Sequence, residues 1–235
     1  MTRRLVRFLA TSGLAILALA APSVARADII FTNLGLGNSF DVGSANPVGF
    51  DFFTGDRDAQ ADSFLPSATA ILTRIAIALT AFDRTNAAPV TVSLAENFGG
   101  VPGSVFESWT IPAGTLGAFG APGLPLLLTS ILHPTLGIGT RYWVTASGGV
   151  ADPVAWNLTL LNDPNPTATS VDGGIVWNTL GLTAGAVQVE GSIVPLPEPK
   201  SLALLATGLT GIAGFVRRRR FNRSGSDEFS ASDSP

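Results

Sequence analysis

Cysteine is absent from the 235 residues, so neither disulfides nor thiolate chemistry is open to this chain. Histidine occurs once, as His133, which excludes metal sites built from several imidazoles. Lysine is missing from residues 28–198, where fourteen Asp and Glu face only Arg57, Arg74, Arg84 and Arg141. A surplus of ten negative charges repels phosphate backbones and anionic lipid headgroups, and so argues against nucleic acid or a membrane surface as partner of this stretch. The whole-chain charge of −3 hides that imbalance.

Long apolar runs are few, and the two that occur stand at the ends. Residues 1–27 begin with Arg3, Arg4 and Arg7, continue through an apolar run from Leu14 to Ala21, and close with Ala25, Arg26 and Ala27. That order is the one a secretory signal peptide needs, and the run is short for a membrane span. Ala25 and Ala27, two apart, fit the narrow pocket of signal peptidase, so cleavage is expected after Ala27.

Residues 28–193 are long enough to bury a core and are expected to form one exported, all-β domain of the antiparallel jelly-roll or β-sandwich kind. The clearest strand pattern is Ile71 to Ala81, with Ile71, Thr73, Ile75, Ile77 and Leu79 on one face. Pro89 to Asn97 repeats it, and Gly99-Gly100 permits a reversal into Val105 to Ile111. Further strands are expected over Leu124 to Ile131, Arg141 to Ser147, Ala155 to Leu161, Ile175 to Leu180 and Ala186 to Val194. The segment from Asn33 to Asp58 reads as a looser lead-in whose Phe40, Phe50, Phe52 and Phe53 tuck onto the sandwich.

Several short signatures follow one another from Ala61 to Ser192. They are Ser63-Phe64, Leu72-Thr73-Arg74-Ile75, Val92-Ser93-Leu94, Gly99-Gly100-Val101-Pro102-Gly103, Pro134-Thr135-Leu136, Gly139-Thr140-Arg141-Tyr142-Trp143 and Gly185-Ala186-Val187 to Gly191. In that order they resemble the choice-of-anchor R family of exported β-domains. The resemblance implies a jelly-roll-like module without an assigned enzymatic activity.

The second apolar run, Ser201 to Val216, follows Val194-Pro195-Leu196-Pro197-Glu198-Pro199 and precedes Arg217, Arg218, Arg219 and Arg220. The prolines keep the approach extended, as a processing enzyme needs. As a helix these 16 uncharged residues span about 24 Å against a hydrocarbon core of about 30 Å, a thin anchor with its arginines on the cytoplasmic side. A polar tail, residues 221–235, is then expected in the cytoplasm. Residues 194–220 resemble the PEP-CTERM sorting signal, with Pro197, Glu198 and Pro199 as its motif. That resemblance implies recognition and removal by an exosortase-like enzyme, in bacteria that make extracellular polysaccharide. The inner membrane is then a transient anchor, and the cell surface or extracellular matrix the destination. An ordinary tail anchor, holding the domain on the inner membrane, is the alternative.

Catalytic chemistry finds little purchase. No G-x-S-x-G sequence accompanies His133, which reads as a solvated loop residue, so the chain is expected to be no enzyme and to need no cofactor. Asp56, Asp58 and Asp62 could offer oxygens to calcium, but they lack the Gly and terminal Glu of a calcium loop and read as a solvated acidic loop. Trp143 and Trp156 are expected in the core, which leaves Trp109 and Trp177 as candidates to stack on the sugars of an extracellular polysaccharide.

Overall fold

A computed structural model describes residues 27–83, 88–112, 114–149 and 153–195 of the chain. Among them the regular elements are fifteen strands and one 3₁₀ turn at Leu36–Asn38. In chain order they are β1 (Ala27–Thr32), β2 (Ala45–Phe50), β3 (Arg57–Phe64), β4 (Ala70–Ile77), β5 (Leu79–Ala81), β6 (Val90–Phe98), β7 (Val101–Ile111) and β8 (Gly117–Ala118). There follow β9 (Leu126–Thr129), β10 (Thr135–Leu136), β11 (Tyr142–Gly148), β12 (Val154–Asn157), β13 (Thr167–Ser170), β14 (Asn178–Leu180) and β15 (Val187–Ile193). No helix among the described residues is long and apolar enough to cross a membrane. Of the expected segments, all of the signal peptide but Ala27, the apolar run 201–216 and the tail 221–235 lie outside the described residues.

The smaller sheet has the order β1-β15-β4-β10, with β9 also on β4. The larger runs β7-β6-β11-β3-β2-β12-β5-β8, and β13 joins β3 and carries β14. Named strands pair antiparallel except the short β5 and β8, which are parallel. Leu72, Ile75, Ile77, Leu128 and Val189 of the smaller sheet meet Phe64, Val92, Leu94 and Val144 of the larger in one buried core. Burying each such side chain contributes about 1.5–3 kcal/mol, and with no cross-link available this burial holds the layers together. The fold is all-β and consistent with a β-sandwich.

Period-two alternation locates β4, β6 and β11, but β4 breaks it once. Arg74 pairs with Glu190 and Leu72 with Gly191, so Thr73 is an extra residue bulged out of the ladder. Side chains before and after a bulge change faces. Leu72 therefore enters the core alongside Ile75 and Ile77, while Ile71, expected on their face, is exposed. Beyond the bulge the other face of the strand is covered too, because Ala76 and Ala78 pack beneath Leu34, Phe40 and Ala186. The expected single strand also divides at Ala78.

The lead-in expected over Asn33 to Asp58 contains β2 and the start of β3. Its Phe40 is buried and Phe50 half-buried, but Phe52 and Phe53 stand in solvent. They sit in the short turn between β2 and β3, where the Phe52 ring meets only the edge of Phe50, at 5.1 Å, among the ring contacts of the described residues. Three expected strands are shorter than their apolar runs, being confined to β9, β12 and β14, because Leu160, Leu161, Ile175 and Val176 fall in exposed connections. The reversal at Gly99-Gly100 holds. Both glycines have positive φ, 62° and 93°, and Phe98 pairs with Val101 across a two-residue turn.

Polar clasps supplement the core. Glu107 of β7 is buried, and its carboxylate accepts the Ser130 hydroxyl at 2.6 Å and the Ile131 and Leu132 amides at 2.5 and 3.2 Å, tying the edge of the larger sheet to the chain leaving β9. At the other side of the core, Gly185 lies flat against the Trp156 indole, where a Cβ would overlap the ring. Trp156 is wholly buried and cannot retreat. Gly185→Ala is therefore expected to cost about 1–3 kcal/mol in urea unfolding, as overpacked cores do. Gly123→Ala, whose Cβ would meet open space, should stay within about 0.5 kcal/mol of the parent.

Candidate functional site

A groove of 570 Å³ opens between residues 161–167 and 179–184. Pro164 and Pro166 donate no amide hydrogen, so the first wall cannot extend a ladder, and Asp163 organises it instead. Its Oδ1 accepts the Asn165 backbone amide at 2.9 Å and side-chain amide at 2.8 Å. Its Oδ2 accepts the Asn33 side-chain amide at 2.8 Å. A carboxylate offers about four lone-pair sites, so one stays open at Oδ2. Buried Thr167 joins the two walls, donating to the Leu180 carbonyl and accepting the Leu182 amide at 3.2 Å. Asn162, Thr179 and Thr183 line the groove with side chains that hold no hydrogen bond among the described residues, and half-exposed Leu161, Leu180 and Leu182 form its apolar walls. Such a groove can take an uncharged ligand carrying several hydroxyls or amides.

A second carboxylate lies behind the first. Asp62 of β3 is buried between the layers and accepts the Gly185 amide at 2.5 Å. Burial raises its pKa well above the usual 3.8; the Gly185 hydrogen bond works against that rise, and the nearby Asp163 charge adds to it. Asn33 connects the two groups. Its side-chain amide donates also to the Gly185 carbonyl at 3.0 Å, its carbonyl oxygen accepts the Val187 amide at 2.7 Å, and its backbone carbonyl accepts the Thr159 hydroxyl.

The tryptophans separate into two pairs. Trp143 and Trp156 are fully buried. Trp109 and Trp177 are each half-exposed but do not share a platform. Trp109 rests against the main core and donates to the Thr129 carbonyl at 2.8 Å. Trp177 covers Ala61, Ala95, Ala168 and Trp143 on the opposite face of the larger sheet. A sugar stacked on either would touch one tryptophan.

His133 is exposed, with φ of 49°, and its Nδ1 lies 3.0 Å from the Leu72 carbonyl. Its backbone amide, not its ring, meets the Ser130 hydroxyl, at 3.0 Å. Asp56 stands in the β2–β3 turn and Asp58 at the start of β3, while Asp62 points into the core, so the three form no cluster. No grouping of three metal-ligating side chains occurs among the described residues. Ala27 begins β1, opposite Ser192. Ala25, the motif Pro197, Glu198 and Pro199, and Arg217 to Arg220 lie outside the described residues. Comparison with protein-family models, with curated proteins and with solved structures finds no match.

Sequence reasoning passed over the groove because Asn162 to Pro166 reads as an ordinary turn, and because Asn33 lies 130 residues before the carboxylate it meets. The signal available was Asp163 between an asparagine and a proline, typical of a side chain that folds its own backbone.

The raised pKa of Asp62 has a definite consequence. Unfolded, the group ionises near 3.8; folded, it keeps its proton to higher pH. Between those values the folded state binds more protons, so stability falls as pH rises above about 4. Asp62→Asn retains an acceptor for Gly185 and cannot ionise. Urea midpoints are expected to decline from pH 4 to pH 8 more steeply in the parent than in this variant, which should be the more stable of the two at pH 8.

Proposed function

We propose that this chain is an exported, non-enzymatic protein of the bacterial cell surface or extracellular matrix, delivered by signal peptidase at one end and an exosortase-like enzyme at the other. The observation that carries the reading is the order Pro197-Glu198-Pro199, a short apolar run, and Arg217 to Arg220, combined with Arg3, Arg4, Arg7 and Ala25 to Ala27 at the start. The domain between is of the jelly-roll-like kind that the choice-of-anchor R resemblance implies, and its two layers around one core, antiparallel but for the β5–β8 pair, are compatible with that.

The strand pairing supports the same reading. Ala27 lies opposite Ser192, and the Val194 amide donates to the Thr69 carbonyl at 2.9 Å. Chain ends so placed let cuts after Ala27 and near Pro199 leave the ladder between β1 and β15 with all but its first register pair. In this reading the short apolar run from Ser201 to Val216 holds the domain only until the second cut. Mass spectrometry of surface-extracted protein from the native host should find neither residues 1–27 nor those from Lys200 onward. Recovery of Arg217 to Arg220 in that material would count against sorting and favour a permanent tail anchor.

A second reading, saccharide binding within a polysaccharide matrix, is favoured by the groove beside Asp163. Its unpaired amide and hydroxyls match the donors and acceptors of sugar hydroxyls, and the acidic surface selects against anionic glycans. On a glycan array, the Asn162→Ala/Thr183→Ala double variant is expected to lose about tenfold in binding. Trp109→Ala and Trp177→Ala test the aromatic faces separately, and a blank array for the parent would sink the reading.

A further inference from the structure

At one end of the sandwich two turns are sewn together through Arg57. Its amide donates to the Val171 carbonyl at 2.9 Å, its carbonyl accepts the Gly173 amide at 2.8 Å, and its Nη2 donates to the Asp172 carbonyl at 3.3 Å. Each turn is itself held. Asp51 Oδ1 accepts the Phe53 amide at 2.7 Å, its backbone amide donates to the Asp56 carbonyl at 2.9 Å, and its backbone carbonyl accepts the Gly55 amide at 2.8 Å. Asp172 Oδ1 accepts the Ser170 hydroxyl at 2.6 Å and the Ile175 and Val176 amides at 2.9 Å. What these turns hold out is apolar: Phe53 is fully exposed, Ile175 76% exposed, and Phe52, Val171 and Val176 more than half exposed. Single exposed apolar side chains are ordinary, whereas five on adjoining turns form the kind of patch that interaction surfaces present. Because the backbone is already ordered, little conformational entropy remains to be lost on binding.

The charges around the patch say which molecule. Asp51, Asp56, Asp58 and Asp172 surround it, and the only cation among them, Arg57, is engaged with the Asp172 carbonyl. Partial burial raises the Asp58 pKa, and the charges of Asp51 and Asp56 raise it further. Asp172 is shifted the other way by the Ser170 hydroxyl and neighbouring amides and stays ionised. A cation placed here relieves repulsion among the carboxylates, whereas an anionic lipid surface or a second copy of the patch increases it. β3 runs from Arg57 at this end to Phe64 beside Phe31 of β1, about 23 Å away.

We propose that this end of the sandwich is a docking surface for a cationic protein segment, one that lays aromatic or aliphatic side chains on Phe52, Phe53, Val171, Ile175 and Val176 while its Lys or Arg residues meet the surrounding carboxylates. The proposal names a partner class beyond the sorting reading and stands whether or not the C-terminal cut occurs. The test titrates the full chain with a fluorescent synthetic peptide of alternating Lys and Phe, and with a Lys–Ser peptide of equal charge. The Lys–Phe peptide should bind the more tightly. Phe52→Ser/Phe53→Ser, which leaves the charge untouched, should weaken it about tenfold, and Asp56→Asn/Asp58→Asn should weaken it similarly and flatten its salt dependence. Leu36→Ser, at a fully exposed position elsewhere, should change nothing. Equal affinity for the two peptides, no binding by the parent, or unaltered binding by the phenylalanine variant with a parent-like circular dichroism spectrum would overturn the proposal. So would a self-associating parent that the phenylalanine variant renders monomeric without altering peptide binding.

Discussion

Four interactions converge on Gly185, and the two layers are spaced by them. The Trp156 indole lies against its Cα, its amide donates to Asp62, its carbonyl accepts from Asn33, and its backbone bridges to Leu158. Only a residue without a side chain can bring a backbone so close to a buried ring. Once that approach is made, the chain entering β15 is held against β3 and β12 together. Asn33 is fixed by the same segment, and through it so is Asp163. The groove thus inherits its geometry from a packing contact in the core beneath it.

Charge is distributed in keeping with this. In the groove Asp163 is matched by amide donors, and at the β1–β15–β4 ladder Glu190 is paired with Arg74 at 2.8 Å and with Gln188 at 2.8 Å. Asp62 has only the Gly185 amide to answer the desolvation of its position, and the Asp163 charge adds to that cost, so its neutral form is the comfortable one. At the far end, by contrast, carboxylates gather around exposed phenylalanines with one arginine among them.

Much of the strand pattern was legible along the chain. β6 and β11 alternate cleanly, and Gly99-Gly100 has the composition of a tight reversal. β3 was not, because Arg57-Asp58-Ala59-Gln60-Ala61-Asp62-Ser63 contains no large apolar side chain. Its outward alanine at position 61 is small in order to fit beneath Trp143, and its inward Gln60 and Asp62 find hydrogen bonds to Pro47 and Gly185 that no local pattern announces. β2 is disguised by Pro47 and Gly49. Ile71 to Ala81 misled in the other direction, since its alternation is real but a bulge at Thr73 inverts it midway, and a bulge is decided by the partner strand.

Local chemistry was therefore enough for the properties that act through composition and order. The absence of cysteine, the acidic surplus between residues 28 and 198, the all-β character, and the two apolar segments with their flanking arginines are written in the chain itself, because each depends on residues adjacent in sequence or on simple sums. Contacts across long separations were decided by the fold alone. Asn33 reaches Asp163 and Gly185, Arg57 meets Val171 and Asp172, and Trp109 and Trp177 come to lie on opposite faces of one sheet. Which residues meet depends on strand order and register, and these are set when both layers close on a shared core, a condition that no single segment carries.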